Sequence, residues 1–129
     1  ARCYGMDLST GKVVEEGKKI GMRVIACADS LGEARELARF SPWAIAVEPP
    51  ELIGSGVSIS TAQPDIVKNA VAEIKHIDSE IRVLVGAGVS NSHDVRRAIE
   101  LGSEGVLLAS AFVKAASPQA LLKEMLEAI

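Results

Sequence analysis

The chain has 129 residues, of which 48% are apolar, 24% charged and only 3% aromatic, so its core must be aliphatic; one domain of this length buries such a core without metals or disulfides. A net charge of −3, with no basic cluster beyond Lys18-Lys19 and Arg96-Arg97, excludes a polybasic surface for nucleic acid or membranes. No apolar run approaches the roughly 20 residues of a membrane helix, no signal peptide opens the chain, and Cys3 and Cys27 form neither a CxxC nor a Cys/His set, so a cytoplasmic protein without structural zinc or a disulfide framework is expected.

A helical segment runs from about Ser9 to Ile20 and is stopped by Gly21; Gly17 within it costs about 1 kcal/mol relative to Ala. Glu15, Glu16, Lys18 and Lys19 give it a solvated, charge-paired face. Strands are expected at Arg23 to Ala28, Trp43 to Val47, Ile81 to Val85 and Gly105 to Leu108. All four are nearly continuously apolar rather than alternating, the pattern of strands buried on both faces. Cys27 then reads as a small core residue, and Trp43, at a strand start, as packing at the end of the sheet away from any active site. Between the strands, Ser30 with Glu33 forms a capping box, and Val67, Ala70, Val71 and Ile74 make a helical stripe. Ser90 to Ser92 supply cap candidates for a helix carrying Val95, Ala98 and Ile99 and ending at Gly102. Ser117-Pro118 opens a last helix whose apolar stripe is Leu122, Met125, Leu126 and Ile129.

Strict alternation of helix and strand predicts an α/β fold with parallel strands and helical crossovers. Four such strands make either a small doubly wound sheet or an arc of a (β/α)8 barrel, and periodicity alone does not separate the two. Both concentrate function at the carboxyl ends of the strands. After the first strand, Ala28-Asp29-Ser30 reads as a turn into a cap. The second ends in Glu48, followed by Pro49-Pro50-Glu51-Leu52-Ile53-Gly54-Ser55-Gly56. A carboxylate at the end of a buried strand has its charge disfavoured and its pKa raised toward the range of a general base, while a stiff start, apolar middle and Gly-containing end describe a lid. The alternative is an exposed loop with a surface Glu. After the third and fourth strands come Gly86-Ala87-Gly88-Val89-Ser90 and Ala109-Ser110-Ala111, small residues leading into helices, which suit an anion or simply make tight turns. His76 and His93, at helix ends, read as solvated residues rather than acids, bases or metal ligands.

The run Ala46-Val47-Glu48-Pro49-Pro50-Glu51-Leu52-Ile53-Gly54-Ser55-Gly56 resembles the strand-6 and loop-6 signature of the triosephosphate isomerase family in its short archaeal form. The resemblance continues through Val85 to Ser90, Asp94-Val95, Ala98 to Gly102 and Gly105 to Ser110, and covers roughly residues 12 to 129. It implies that residues 1–129 form a single partial barrel domain holding strands 5 to 8 of a (β/α)8 barrel. By the same resemblance Glu48 is the catalytic base between C1 and C2 of a triose phosphate. The backbone of Ile53, Gly54, Gly88, Ala109 and Ser110 would hold the phosphate, and no metal or organic cofactor is needed.

The family also places a Lys after its first strand and an electrophilic His after its fourth, and neither segment is in this sequence. Ala1 to Gly5 do not match the family's segment after that His. Together with the start at Ala1, this predicts a fragment or one part of a split enzyme, inactive alone, self-associating as a homo-oligomer, and completed by a partner carrying strands 1 to 4. Two rival readings are another phosphate-binding barrel, such as a sugar-phosphate epimerase or lyase, and a non-catalytic half-barrel that binds phosphate or assembles with itself. The first leaves Glu48-Pro49-Pro50 with Gly54-Ser55-Gly56 unexplained.

Overall fold

Helices and strands alternate along residues 10–129, the part of the chain that the computed structural model describes; Cys3, Ser9 and Ala1 to Gly5 lie outside the described residues. The elements are α1 (Thr10–Lys19), β1 (Ile25–Ala28), α2 (Leu31–Ala38), β2 (Ala44–Val47), a 3-10 turn (Pro50–Leu52), α3 (Ile59–Ala62), α4 (Pro64–Ile77), β3 (Arg82–Val85), α5 (Ser92–Glu100), β4 (Gly105–Val106), α6 (Ser110–Val113) and α7 (Pro118–Leu126). Capping follows the sequence closely. Ser30 Oγ accepts from Glu33 N at 3.3 Å, and the Glu33 carboxylate accepts from Asp29 N at 2.8 Å, one residue before the cap. Asn91 Oδ1 accepts from Asp94 N at 3.0 Å to start α5, whereas Ser117 caps α7 by position without a side-chain bond. Gly17 has a packing reason inside α1, because the Val24 side chain occupies the place its Cβ would take.

All three strand pairings are parallel, and the strands lie in the order β1-β2-β3-β4. A doubly wound sheet reverses its strand order and carries helices on both faces; neither is the case here. Ala26, Ala28, Ile45, Val47, Val83 and Val85 share one core with Ala34 and Leu37 of α2, Val67, Ala70 and Ile74 of α4, and Val95 and Ala98 of α5. The alternate residues Ala44, Ala46 and Leu84 form only a small second cluster with Trp43 and Leu107. The chain is therefore an arc of a (β/α)8 barrel with its helices on the convex side. Burying Ile45 or Val83 completely against that helical layer removes apolar surface worth roughly 1.5–3 kcal/mol per side chain.

Several expectations need correction. Each strand is shorter than its apolar run, and β4 spans only the two residues that pair with β3. β2 is buried along both faces, and β3 is buried on both from Val83 to Val85, with Arg82 exposed at its start. In β1, Ile25 and Cys27 are exposed: the register sets them beside Ala44 and Ala46 on the concave side, where no described element covers β1. Cys27 is thus not a core residue. In α7 the inward residues are Leu121, Met125 and Ala128; Leu122, Leu126 and Ile129 are exposed, because the helix packs on α5 and α6 and its outer stripe meets nothing among the described residues.

Two unpaired parallel edges, an open concave face and an outer apolar stripe on α7 make a surface that associates. In light scattering at micromolar concentration the isolated chain is expected to run larger than a monomer, and a monodisperse monomer would contradict the barrel arc.

Candidate active site

Three hydrogen bonds carry the ladder just past the strands. Glu48 N donates to Ala28 O at 2.8 Å, Gly86 N to Val47 O at 3.0 Å and Leu107 N to Val85 O at 2.8 Å, which levels the carboxyl ends of β2, β3 and β4. Alternation along β2 puts Glu48 on the concave side with Ala44 and Ala46, and the register puts Gly86 beside it. The Glu48 side chain lies across Gly86: a Cβ at Gly86 would collide with Glu48 Cγ and Oε1. Glu48 is half-buried, and burial pushes its carboxyl above the usual range; a hydrogen bond from the Cys27 thiol on β1 opposes part of that rise. Partial burial, then the neighbouring Glu48 charge, pushes the Cys27 thiol up to about 11. At neutral pH Cys27 is therefore a protonated donor toward Glu48 and a poor nucleophile.

The loop after β2 is held at both ends. Pro49 is buried and leads into the 3-10 turn, while Gly54 and Gly56 take φ of 73° and 74° around Ser55. Ser55 Oγ donates to Leu52 O at 2.8 Å and accepts from Val57 N at 3.0 Å, folding the loop's end back on itself. That end rests on the next loop: Gly88 has φ of 72°, and the Val57 carbonyl fills the place of a Cβ there. Gly88 is consequently required twice over. A row of short polar side chains ties the two loops together. The Ser58 and Ser60 hydroxyls are paired at 2.8 Å, Ser60 Oγ donates to the Asp94 carbonyl at 3.3 Å, and the buried Asp94 carboxylate accepts from Ser90 N and Ser90 Oγ at 3.0 and 3.1 Å. Sequence reasoning assigned no role to Ser58, Ser60 or the Asp94 side chain; a serine-rich stretch reads as loop, and nothing local says that it is buried.

These loops enclose a cavity of about 530 Å³. Glu48, Ile53, Gly54, Gly88, Ala109 and Ser110, all of the site residues expected from the sequence, line it together with Gly86, Val89, Leu107 and Leu108. Ile53 is exposed on the loop, and Ser110 opens α6. Among the described residues Glu48 is the one charged group lining it, so an anion bound here by those residues has backbone N–H groups and the Ser110 hydroxyl to rely on. His76 in the last turn of α4 and His93 in the first turn of α5 are exposed and lie outside the cavity. Among the described residues no group of three His, Cys, Asp or Glu is placed to hold a metal ion, and no helix is long and apolar enough to cross a membrane.

The raised Glu48 carboxyl has a consequence for stability. Protonated Glu48 suits the fold, so its contribution is present below the ordinary value of 4.5 and is lost as pH rises through the raised value. Glu48→Gln is expected to leave Tm nearly unchanged at low pH and to raise it above that titration. A Tm difference that is flat with pH, followed by calorimetry from pH 4 to 8, would contradict the burial argument.

A family model for triosephosphate isomerase matches residues 6–127. The chain is 42% identical over 117 residues to the triosephosphate isomerase of Methanocaldococcus jannaschii, covering 91% of this chain and 53% of that protein, and 44% identical over 115 residues to that of Methanothermus fervidus, covering 89% and 52%. Among solved structures it resembles a chain of the Amycolatopsis orientalis BexX/CysO complex, with TM-score 0.72, 27% identity and coverage of 92% and 46%. It also shares its fold with thiamine phosphate pyrophosphorylase from Pyrococcus furiosus, with TM-score 0.68, 18% identity and coverage of 96% and 55%. The chain spans about half the length of the curated relatives it matches. It belongs to the triosephosphate isomerase family.

Proposed function

We propose that this chain supplies the carboxyl-terminal half of a triosephosphate isomerase active site, serving glycolysis and gluconeogenesis by interconverting dihydroxyacetone phosphate and glyceraldehyde 3-phosphate. The observation that carries the reading is the convergence of Glu48 with Ile53, Gly54, Gly88, Ala109 and Ser110 on one cavity. In the forward direction the Glu48 carboxylate takes a proton from C1 of the ketose as the electron pair passes to the C2 oxygen, the C1 hydroxyl gives its proton to that oxygen at the enediol stage, and the Glu48 carboxyl returns its proton to C2 as C1 becomes the aldehyde carbonyl. The raised pKa of Glu48 suits both halves of that exchange. A glutamate base beside a closing loop is the known arrangement of this enzyme family. Backbone of Ile53, Gly54, Gly88, Ala109 and Ser110 holds the phosphate, which fits a cavity whose described lining residues include no cation.

General-base action typically contributes about 10² to 10⁴-fold, whereas stabilising the charge that develops on the substrate oxygen is usually the larger effect. The family's Lys and His, carried by strands 1 to 4, belong to that second task. The isolated chain is accordingly expected to show little isomerase activity, and mixing it with a polypeptide carrying strands 1 to 4 of the family is expected to restore some. In the restored enzyme Glu48→Gln removes the base and abolishes the gain. Glu48→Asp withdraws the carboxylate by about 1 Å and costs on the order of 10²-fold in kcat. Full activity of the isolated chain, or indifference to Glu48→Gln after complementation, would overturn the reading.

Gly86→Ala offers a separate check, because it adds one methyl where the Glu48 side chain now lies. It is expected to depress kcat of the complemented enzyme by about tenfold or more while far-UV circular dichroism stays unchanged. Unchanged kcat would show that the carboxylate does not need its present place.

A further inference from the structure

Among the described residues, three of the four buried polar side chains, Ser58, Ser60 and Asp94, sit together between the loops that follow β2 and β3. The fourth, Ser103, lies before β4, on the amino-terminal side of the sheet and away from the cavity. Burying hydroxyls and a carboxylate is costly unless each is bonded, and here the bonds run in one direction. Ser60 Oγ gives its single proton to the Asp94 carbonyl at 3.3 Å, so in the 2.8 Å pair with Ser58 it is the acceptor and Ser58 the donor. The Asp94 carboxylate then accepts from Ser90 N and Ser90 Oγ at 3.0 and 3.1 Å.

This chain of bonds stops beside the cavity. Gly88 and Val89 line the cavity, whereas Ser58, Ser60, Ser90 and Asp94 do not. Among the described residues the Gly88 and Val89 N–H groups have no acceptor, while both of their flanks are held. On one side Ala87 O accepts from Ile59 N at 3.2 Å, and on the other Ser90 N is held by Asp94. Fixing both flanks leaves the two amides little freedom to turn, and donors aimed in advance bind an anion without the cost of ordering them. Ser60 anchors the second flank, because its hydroxyl joins the first turn of α5 to the segment that ends the loop after β2.

We propose that Ser60 is a positioning residue for anion binding: acting through Asp94 and Ser90, it keeps the Gly88–Val89 backbone aimed at the phosphate and has no part in holding Glu48. The proposal rests on the reading of this cavity as the phosphate site.

The test uses the full chain with inorganic phosphate as the probe, read from amide shifts of the deuterated protein. The wild type is expected to show saturable shifts at Gly88 and Ser110. Ser60→Ala is expected to bind phosphate about fivefold or more weakly. Ser90→Ala removes one of the two bonds to the Asp94 carboxylate and is expected to lose affinity in the same direction by a smaller factor. Ser103→Ala deletes a hydroxyl likewise buried and bonded, to Val83 O at 3.0 Å, and is expected to lower Tm while leaving phosphate affinity unchanged. The pH titration of the Glu48 carboxyl, followed by carbon shifts, is expected to be the same in Ser60→Ala as in the wild type. Equal phosphate affinity of Ser60→Ala and wild type, an equal loss in Ser103→Ala, or a moved Glu48 titration overturns the proposal. Should Ser60→Ala not fold, Ser90→Ala decides the same comparison. If the wild type shows no shift at any lining residue, the phosphate reading of the cavity fails first, and the positioning role falls with it.

Discussion

The site depends on one close approach, the Glu48 side chain lying across Gly86. Parallel register makes the two residues neighbours, and alternation puts both on the concave side, so any residue larger than glycine at position 86 would displace the Glu48 carboxylate. Much of the surrounding construction serves to keep that approach. Backbone hydrogen bonds level the strand ends, buried Pro49 directs the chain away at once, and the Cys27 thiol donates to the carboxylate from the other flank. Glu48 thus sits between two neighbouring strands, one contributing a donor and the other an empty space. The same crowding that fixes its position also removes water and raises its pKa.

The convex face explains why half a barrel holds its shape. The strands' outward residues and the inward stripes of α2, α4 and α5 form one aliphatic cluster that includes residues from β1 to α7. Helix-on-sheet burial is a local affair between consecutive β/α units, so it is largely complete without the rest of the ring. Lumen packing is not local. It needs side chains from strands across the barrel, and among the described residues only Ala44, Ala46 and Leu84, with Trp43 and Leu107, have found one another. Stability and incompleteness therefore occupy opposite faces of the same sheet.

That division also accounts for what could be read from the sequence. Caps, helices and the order of elements rest on neighbours within a few residues, and Ser30, Asn91 and Gly102 mark their boundaries with little ambiguity. The residues expected to line a site were legible because Glu48, the Gly54 and Gly56 pair and the small residues after β3 and β4 are costly or special where they stand. Burial was less legible. A run such as Ile25-Ala26-Cys27-Ala28 suits a strand covered on both sides, and nothing local reports that one side of it is exposed. The outer stripe of α7 misled for the same reason: Leu122, Leu126 and Ile129 keep helical spacing toward a neighbour these residues do not provide. The polar ties through Ser58, Ser60 and Asp94 went unread because they join loops 34 residues apart in the chain.

Loop-to-loop tethering bears on how such a site tolerates being half of a whole. The loop after β2 does not stand on its own stem alone; Val57 rests on Gly88, Ile59 N donates to Ala87 O at 3.2 Å, and the Ser60–Asp94–Ser90 ties pin the floor beneath. Each contact lies between residues of β2–β3 and β3–β4 connections, and none requires strands outside this chain. The cavity is therefore held by contacts within this chain, so that a ligand binding there need not also meet the entropy of ordering those loops.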